Sequence, residues 1–175
     1  LIKELLMSVG LVVTSPSGYD GITQGERDTF LLEQTECLAQ NVYHEARSQG
    51  TAGRMAVIAV TINRVNDSRF PNTVCDVVKQ GPHRPSWKGT GEMIPVRHKC
   101  HFSWYCDGKS DKIYDNDTYN NIYNLSYSVM YDIITLVDIT EGATHYHADY
   151  VLPDWASTKT KTIEIEDHIF YRWDR

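Results

Sequence analysis

A chain of 175 residues with 41% apolar side chains reads as one globular domain, able to bury roughly 70% of its unfolded surface, and not as a disordered segment. The net charge of −6 and the pI near 5.6 argue against a general nucleic-acid binder, which needs a basic face, while leaving room for a local patch that meets a charged substrate. Eleven Tyr and four Trp suit a groove that stacks sugar rings, and equally suit an aromatic core.

Leu1–Val13 is apolar but too short to span a bilayer, and its flanks are poor for an export signal. With no initiator Met, the chain is expected to be trimmed from a longer one. Residues 1–27 are expected to form an ordered extension packed on a domain of residues 28–175, with 14–27 as a Gly-rich loop. A helix is expected to start between Asp28 and Thr35, carry Leu38, Val42 and Ala46 on one face, and stop at Gly50. A second, from Thr51 to Val65, is apolar around so much of its circumference that it belongs at the centre. Thr73 caps a short helix through Val78.

Residues 81–99 contain three Pro and read as an irregular insertion able to rim a cleft. Cys100–Tyr105 is expected to be extended. Asp117 to about Val137 has a helical pattern, and Ala143–His147, Thr162–Glu166 and His168–Tyr171 read as strands. No internal repeat or low-complexity linker interrupts the chain. The class is α+β, a helical core with a small late antiparallel sheet. Four cysteines (Cys37, Cys75, Cys100, Cys106) allow three complete pairings. Proximity favours Cys100–Cys106, which would imply an oxidising compartment; four reduced thiols or, more weakly, a zinc site are the alternatives.

Glu45 lies near the end of the first long helix. Asn41 and Gln49 share its face, whereas Arg47 points away, so no helical neighbour is an obvious ion-pair partner. Val42 and nearby aromatic rings would desolvate it, and the helix C-terminus also disfavours its ionised form. A carboxylic acid kept protonated near neutral pH is what cleavage of a glycosidic bond requires. The plain alternative is an exposed Glu on a solvated helix end.

Six blocks then fall in order: Asn41–Arg47, Ala56–Val65, Arg69–Val78, Cys100–Trp104 with Cys106–Gly108, Ala143–Ala148 and His168–Tyr171. Together they resemble the SleB/CwlJ-type cell wall hydrolases, which include spore-cortex-lytic enzymes, over about residues 30–172. The resemblance implies a lysozyme-like α+β fold, with residues 28–175 as its catalytic domain. It implies a lytic transglycosylase acting on peptidoglycan between N-acetylmuramic acid and N-acetylglucosamine. Glu45 aligns with the family's catalytic Glu, which protonates the bridging oxygen and then takes a proton from the muramyl C6 hydroxyl, closing a 1,6-anhydro ring. Ser103, Trp104, Tyr146 and His147 fall in segments that line the family's groove, and Asn41, Tyr43 and Trp155 are further lining candidates. No cofactor, nucleic-acid partner or stable membrane span is implied, and a monomer in the periplasm or extracellular wall is expected, exported or released by phage lysis.

The chain departs from the family pattern at His101, where many relatives carry Gln, along residues 81–99, which are longer than usual, and at Ile165–His168, where Glu-Asp replaces Gly-Asn. Specificity for modified spore cortex is therefore not carried over, and a phage endolysin or a Gram-negative periplasmic enzyme fits as well. Three other functions compete. A water-using hydrolase would need a second carboxylate roughly 5–9 Å from the first, with Asp154, Glu164 and Glu166 as candidates. A zinc amidase would use His145 and His147, which share a strand face, with His44, His98 or His101. A wall-binding module would keep the fold without the chemistry.

Overall fold

The computed structural model describes residues 23–174, so the expected packing of the apolar N-terminal stretch lies outside the described residues. Helix α1 (Gln24–Ala46) starts earlier than expected. Thr23 and Glu26 form a capping box: the Thr23 side chain accepts from Glu26 N, and Glu26 Oε2 accepts from Thr23 N at 2.7 Å. That reciprocal cap offsets the cost of Gly25 inside the first turn. Helix α2 (Thr51–Asn66) follows after a tight turn, and α3 (Val74–Val78) begins on the Thr73 cap.

Residues 81–99, expected to be irregular, contain a small hairpin of β1 (His83–Pro85) and β2 (Met93–Pro95), with Arg84 opposite Ile94. Each strand ends in its Pro, where the missing N–H costs little of the ladder. Cys100–Tyr105 is not extended. Residues Ser103–Cys106 form a turn of 3-10 helix, and the Cys100–Cys106 disulfide holds the two Cα atoms 6.0 Å apart. An extended path over that length would reach roughly 20 Å. A second disulfide, Cys37–Cys75, ties α1 to α3.

Helix α4 (Asn116–Met130) ends before the expected Val137. Asp132 turns left-handed at φ 53°, and Ile133 N–H donates back to Ser128 C=O at 2.8 Å, a helix-terminating pattern. Strands β3 (His145–Ala148), β4 (Thr160–Ile165) and β5 (His168–Arg172) form an antiparallel sheet in the order β3-β5-β4, with a short 3-10 helix (Asp154–Thr158) leading into β4.

Helix α2 is central, as its apolar circumference predicts. Val57, Ile58 and Val65 pack into the main cluster with Leu38, Val42, Val77, Phe102 and Ile122. On its other side Ala56 and Val60 meet Ala143 and Phe170 of the sheet region. The fold is thus α+β, with helices on one side of α2 and the sheet on the other. The end of α1 and the edge strand β3 come together at this junction.

Candidate active site

A groove of about 730 Å³ opens where the end of α1, the segment 101–114 and β3 meet. Glu45 lines it together with His44, Arg64, Ser103, Trp104, Asp111 and Tyr146, among others. The Tyr146 hydroxyl donates to Glu45 Oε2 at 2.6 Å. Register places Tyr146 opposite Phe170 on β5, so the sheet fixes the phenol that meets the helix-borne acid.

Burial pushes the Glu45 carboxyl above the ordinary carboxylate range, while the Tyr146 hydrogen bond and the Arg64 charge pull the other way. Desolvation prevails, so the group is biased toward the protonated form. Arg64 itself is 5% exposed. Its Nε donates to Thr144 O at 2.7 Å, and its guanidinium lies 4.6 Å from the Phe102 ring centroid and 5.5 Å from that of Phe70. Nothing in the sequence singles it out, because these partners arrive from three distant parts of the chain.

Of the lining candidates, Ser103, Trp104, Tyr146 and His147 reach the groove. Asn41, Tyr43 and Trp155 do not line it, and each is occupied elsewhere. Asn41 is fully buried; its Nδ2 donates to Thr61 Oγ1 at 3.2 Å and its Oδ1 accepts from Trp104 Nε1 at 2.9 Å. The Tyr43 hydroxyl accepts from the backbone N–H groups of Tyr114 and Asp115 at 3.3 and 3.2 Å. These two side chains therefore hold the opposite wall in place: Asn41 orients Trp104, and Tyr43 anchors the strand of chain leading to α4. Trp155 packs against His145, His147 and Tyr171 behind the sheet.

Four imidazoles in or near the groove, His44, His101, His145 and His168, are pushed toward neutrality. Burial lowers the pKa of His44, His101 and His168, and burial aided by nearby cations holds His145 at about 3. His44 stacks on Trp104 with centroids 4.4 Å apart. His147 contacts Ala148 O through Nδ1 at 2.8 Å and the Tyr171 hydroxyl through Nε2 at 3.0 Å, and His145 Nδ1 lies 2.9 Å from Thr144 Oγ1. Among the described residues no three His, Cys, Asp or Glu side chains gather closely enough to hold a metal ion.

The three expected second carboxylates stand apart from the groove. Glu166 accepts from Gly50 N at 2.7 Å and Gly53 N at 3.1 Å, at the start of α2. Glu164 pairs with Lys161 at 3.3 Å on the exposed face of β4. Asp154 borders a separate hollow with Leu152 and Tyr171. Sequence spacing gave no hint of the carboxylates that do line the groove, Asp107 and Asp111. Burial raises the Asp111 pKa. The insertion at 81–99 contributes no residue to the lining.

Comparison with known proteins agrees with this architecture. A family described as cell wall hydrolase matches residues 48–171, a span that begins just after Glu45. The spore cortex-lytic enzyme of Bacillus subtilis (strain 168) is 49% identical over 59 residues, 34% of this chain; the match spans 19% of that relative's length. The crystal structure of the catalytic domain of Bacillus cereus SleB superposes with a TM-score of 0.53 at 23% identity, covering 90% of this chain and all of that one. The catalytic domain of the germination-specific lytic transglycosylase SleB from Bacillus anthracis gives 0.54 at 24% identity, covering 89% and 100%. These likenesses establish the shared lysozyme-like α+β fold, and no described helix is long and apolar enough to cross a membrane. By the extent of the family match, this chain is a member of the cell wall hydrolase family.

Proposed function

We propose that residues 28–175 form a catalytic domain that cleaves the glycan strands of peptidoglycan between N-acetylmuramic acid and N-acetylglucosamine, with Glu45 as the single acid and base. The observation that carries this reading is the Glu45 carboxyl in the groove, biased toward its protonated form by burial and held by the Tyr146 hydroxyl at 2.6 Å. A protonated carboxyl can donate to the bridging oxygen as the bond opens. The carboxylate left behind is stabilised by the same hydroxyl and by the Arg64 charge. It is then suited to take the proton of the muramyl C6 hydroxyl, which closes on C1 to give a 1,6-anhydro end without an attacking water. Ser103, Trp104, Tyr146 and His147 are proposed to contact the sugars, Trp104 by stacking.

Hydrolysis by water is the second reading, favoured by the presence of Asp111 in the same groove. Mass analysis of the released muropeptides separates the two. Anhydro-muramyl ends are expected; reducing ends alone would replace the transglycosylase reading with the hydrolytic one. The two disulfides support a site of action in the periplasm or the extracellular wall, reached by export or by phage lysis as for an endolysin.

A further inference from the structure

The guanidinium of Arg64 is buried beside the groove. Of its nitrogens, Nε is spent on Thr144 O at 2.7 Å. Nη1 is buried without any hydrogen-bond partner among the described residues. Among the described residues no carboxylate lies within ion-pair distance of the group, although Glu45 is near enough to feel its charge. A buried cation without a paired anion is costly, and an arginine with unused donors more so. The molecule nonetheless builds a rigid seat for it, from Phe102 on one side, Phe70 on the other and the carbonyl of Thr144 at the start of β3.

The same groove contains two further orphaned donors or acceptors, His44 Nε2 and His168 Nδ1. Among the described residues, three of the six buried side-chain atoms without partners thus belong to residues lining this one groove, a concentration of unpaired polar atoms where a ligand could meet them. Arg64 alone among them has a full charge and the planar fork that grips a carbonyl oxygen.

We propose that Arg64 is a substrate-binding residue whose free guanidinium edge takes an amide carbonyl oxygen presented by an N-acetylated amino sugar at the cleavage point. The inference rests on the glycan-cleaving reading above. Two carbonyls on such a substrate have this chemistry: that of the acetamido group at C2, and that of the lactyl amide at C3 through which a peptide stem is attached. Either would meet the guanidinium from the groove that Arg64 lines and fix the ring relative to Glu45, which is the orientation that a single-carboxylate mechanism needs.

The test measures affinity by calorimetry in the Glu45→Gln background, where bound glycan survives. Arg64→Lys and Arg64→Met are compared with the parent on three soluble glycans: intact strands, strands de-N-acetylated at C2, and strands stripped of peptide so that the lactyl amide becomes a carboxylate. On intact strands, both substitutions are expected to weaken binding by about tenfold or more, the scale of a lost hydrogen bond to a charged donor. If the acetamido carbonyl is the ligand, the Arg64 effect disappears on de-N-acetylated strands alone. If the lactyl carbonyl is the ligand, the effect grows on stripped strands, where an anion now faces the guanidinium. An Arg64 effect of equal size on all three glycans would mean a structural role and would overturn the proposal. Arg64→Lys, which keeps a buried charge, guards against an unfolded Arg64→Met. Failure of the Glu45→Gln parent to bind any glycan would count against the parent reading of the groove, independently of Arg64.

Discussion

Burial and hydrogen bonding act in opposite directions on the Glu45 carboxyl, and the balance has measurable consequences. Burial raises its pKa in the folded chain above the unfolded value of roughly 4.3, so the native state retains a proton the unfolded state releases. That stabilisation is complete below the unfolded pKa and is lost as pH rises toward the folded one. Glu45→Gln, neutral throughout, should therefore melt at a higher temperature than wild type at about pH 7 and at nearly the same temperature at about pH 4. Thermal melts across that interval check it; a variant less stable at neutral pH would contradict it. Tyr146→Phe removes a hydrogen bond that holds the pKa down. The alkaline limb of its kcat/KM profile should move to higher pH, since the acid then keeps its proton longer. A limb that stays put or moves down would deny the phenol its part. At this scale the sequence pointed to side chains that the structure places in the groove lining, Glu45, Ser103, Trp104, Tyr146 and His147. Asn41 and Tyr43 lie outside that lining, because helical spacing says which residues neighbour Glu45 and not which face points inward. Arg64 was hidden for a similar reason: what makes it notable is its aromatic seat and its unused donor, and both are tertiary facts.

Among the elements, the start of α2 depends on a residue more than a hundred positions away. Its N-cap, Gly50, offers no side chain, and Glu166 supplies the missing acceptor to Gly50 N and Gly53 N from the turn between β4 and β5. Glu166 takes a left-handed backbone at φ 50° to do so. A carboxylate at a helix N-terminus also interacts favourably with the partial positive charge of the helix dipole. Glu166→Ala should destabilise the fold by about 1 kcal/mol, measured by denaturant unfolding, with little effect on catalysis. Loss of activity without loss of stability would instead return Glu166 to the list of candidate acids. This capping gives the Glu166 carboxylate of the turn between β4 and β5 a structural use that the sequence alone could not reveal. Regular periodicity placed α2, α3 and the late strands closely. The elements it missed depended on local chemistry: the Thr23–Glu26 capping box outweighed Gly25, the Asp132 turn cut α4 short, and the Cys100–Cys106 ring curled a segment that reads as extended.

For the whole molecule, α2 joins a helical cluster to a sheet, and the groove lies along that joint. The Cys37–Cys75 bridge spans 38 residues and clamps α1, which carries the acid, to α3. Chain-entropy arguments assign such a loop about 4 kcal/mol. Reduction should lower the melting temperature markedly, and Cys37→Ser should reproduce most of the loss; an unchanged melt would show that packing alone secures α1. The class of fold and the family were legible from block order, since six short runs in the right sequence constrain topology more than any one of them. The proposed chemistry turns on the single proton on Glu45. Its most direct test is lysis of purified peptidoglycan by wild type and by Glu45→Gln, with circular dichroism confirming that both are folded. Wild type should clear the suspension and the folded variant should not; a folded Glu45→Gln protein that still lyses the wall would contradict the account.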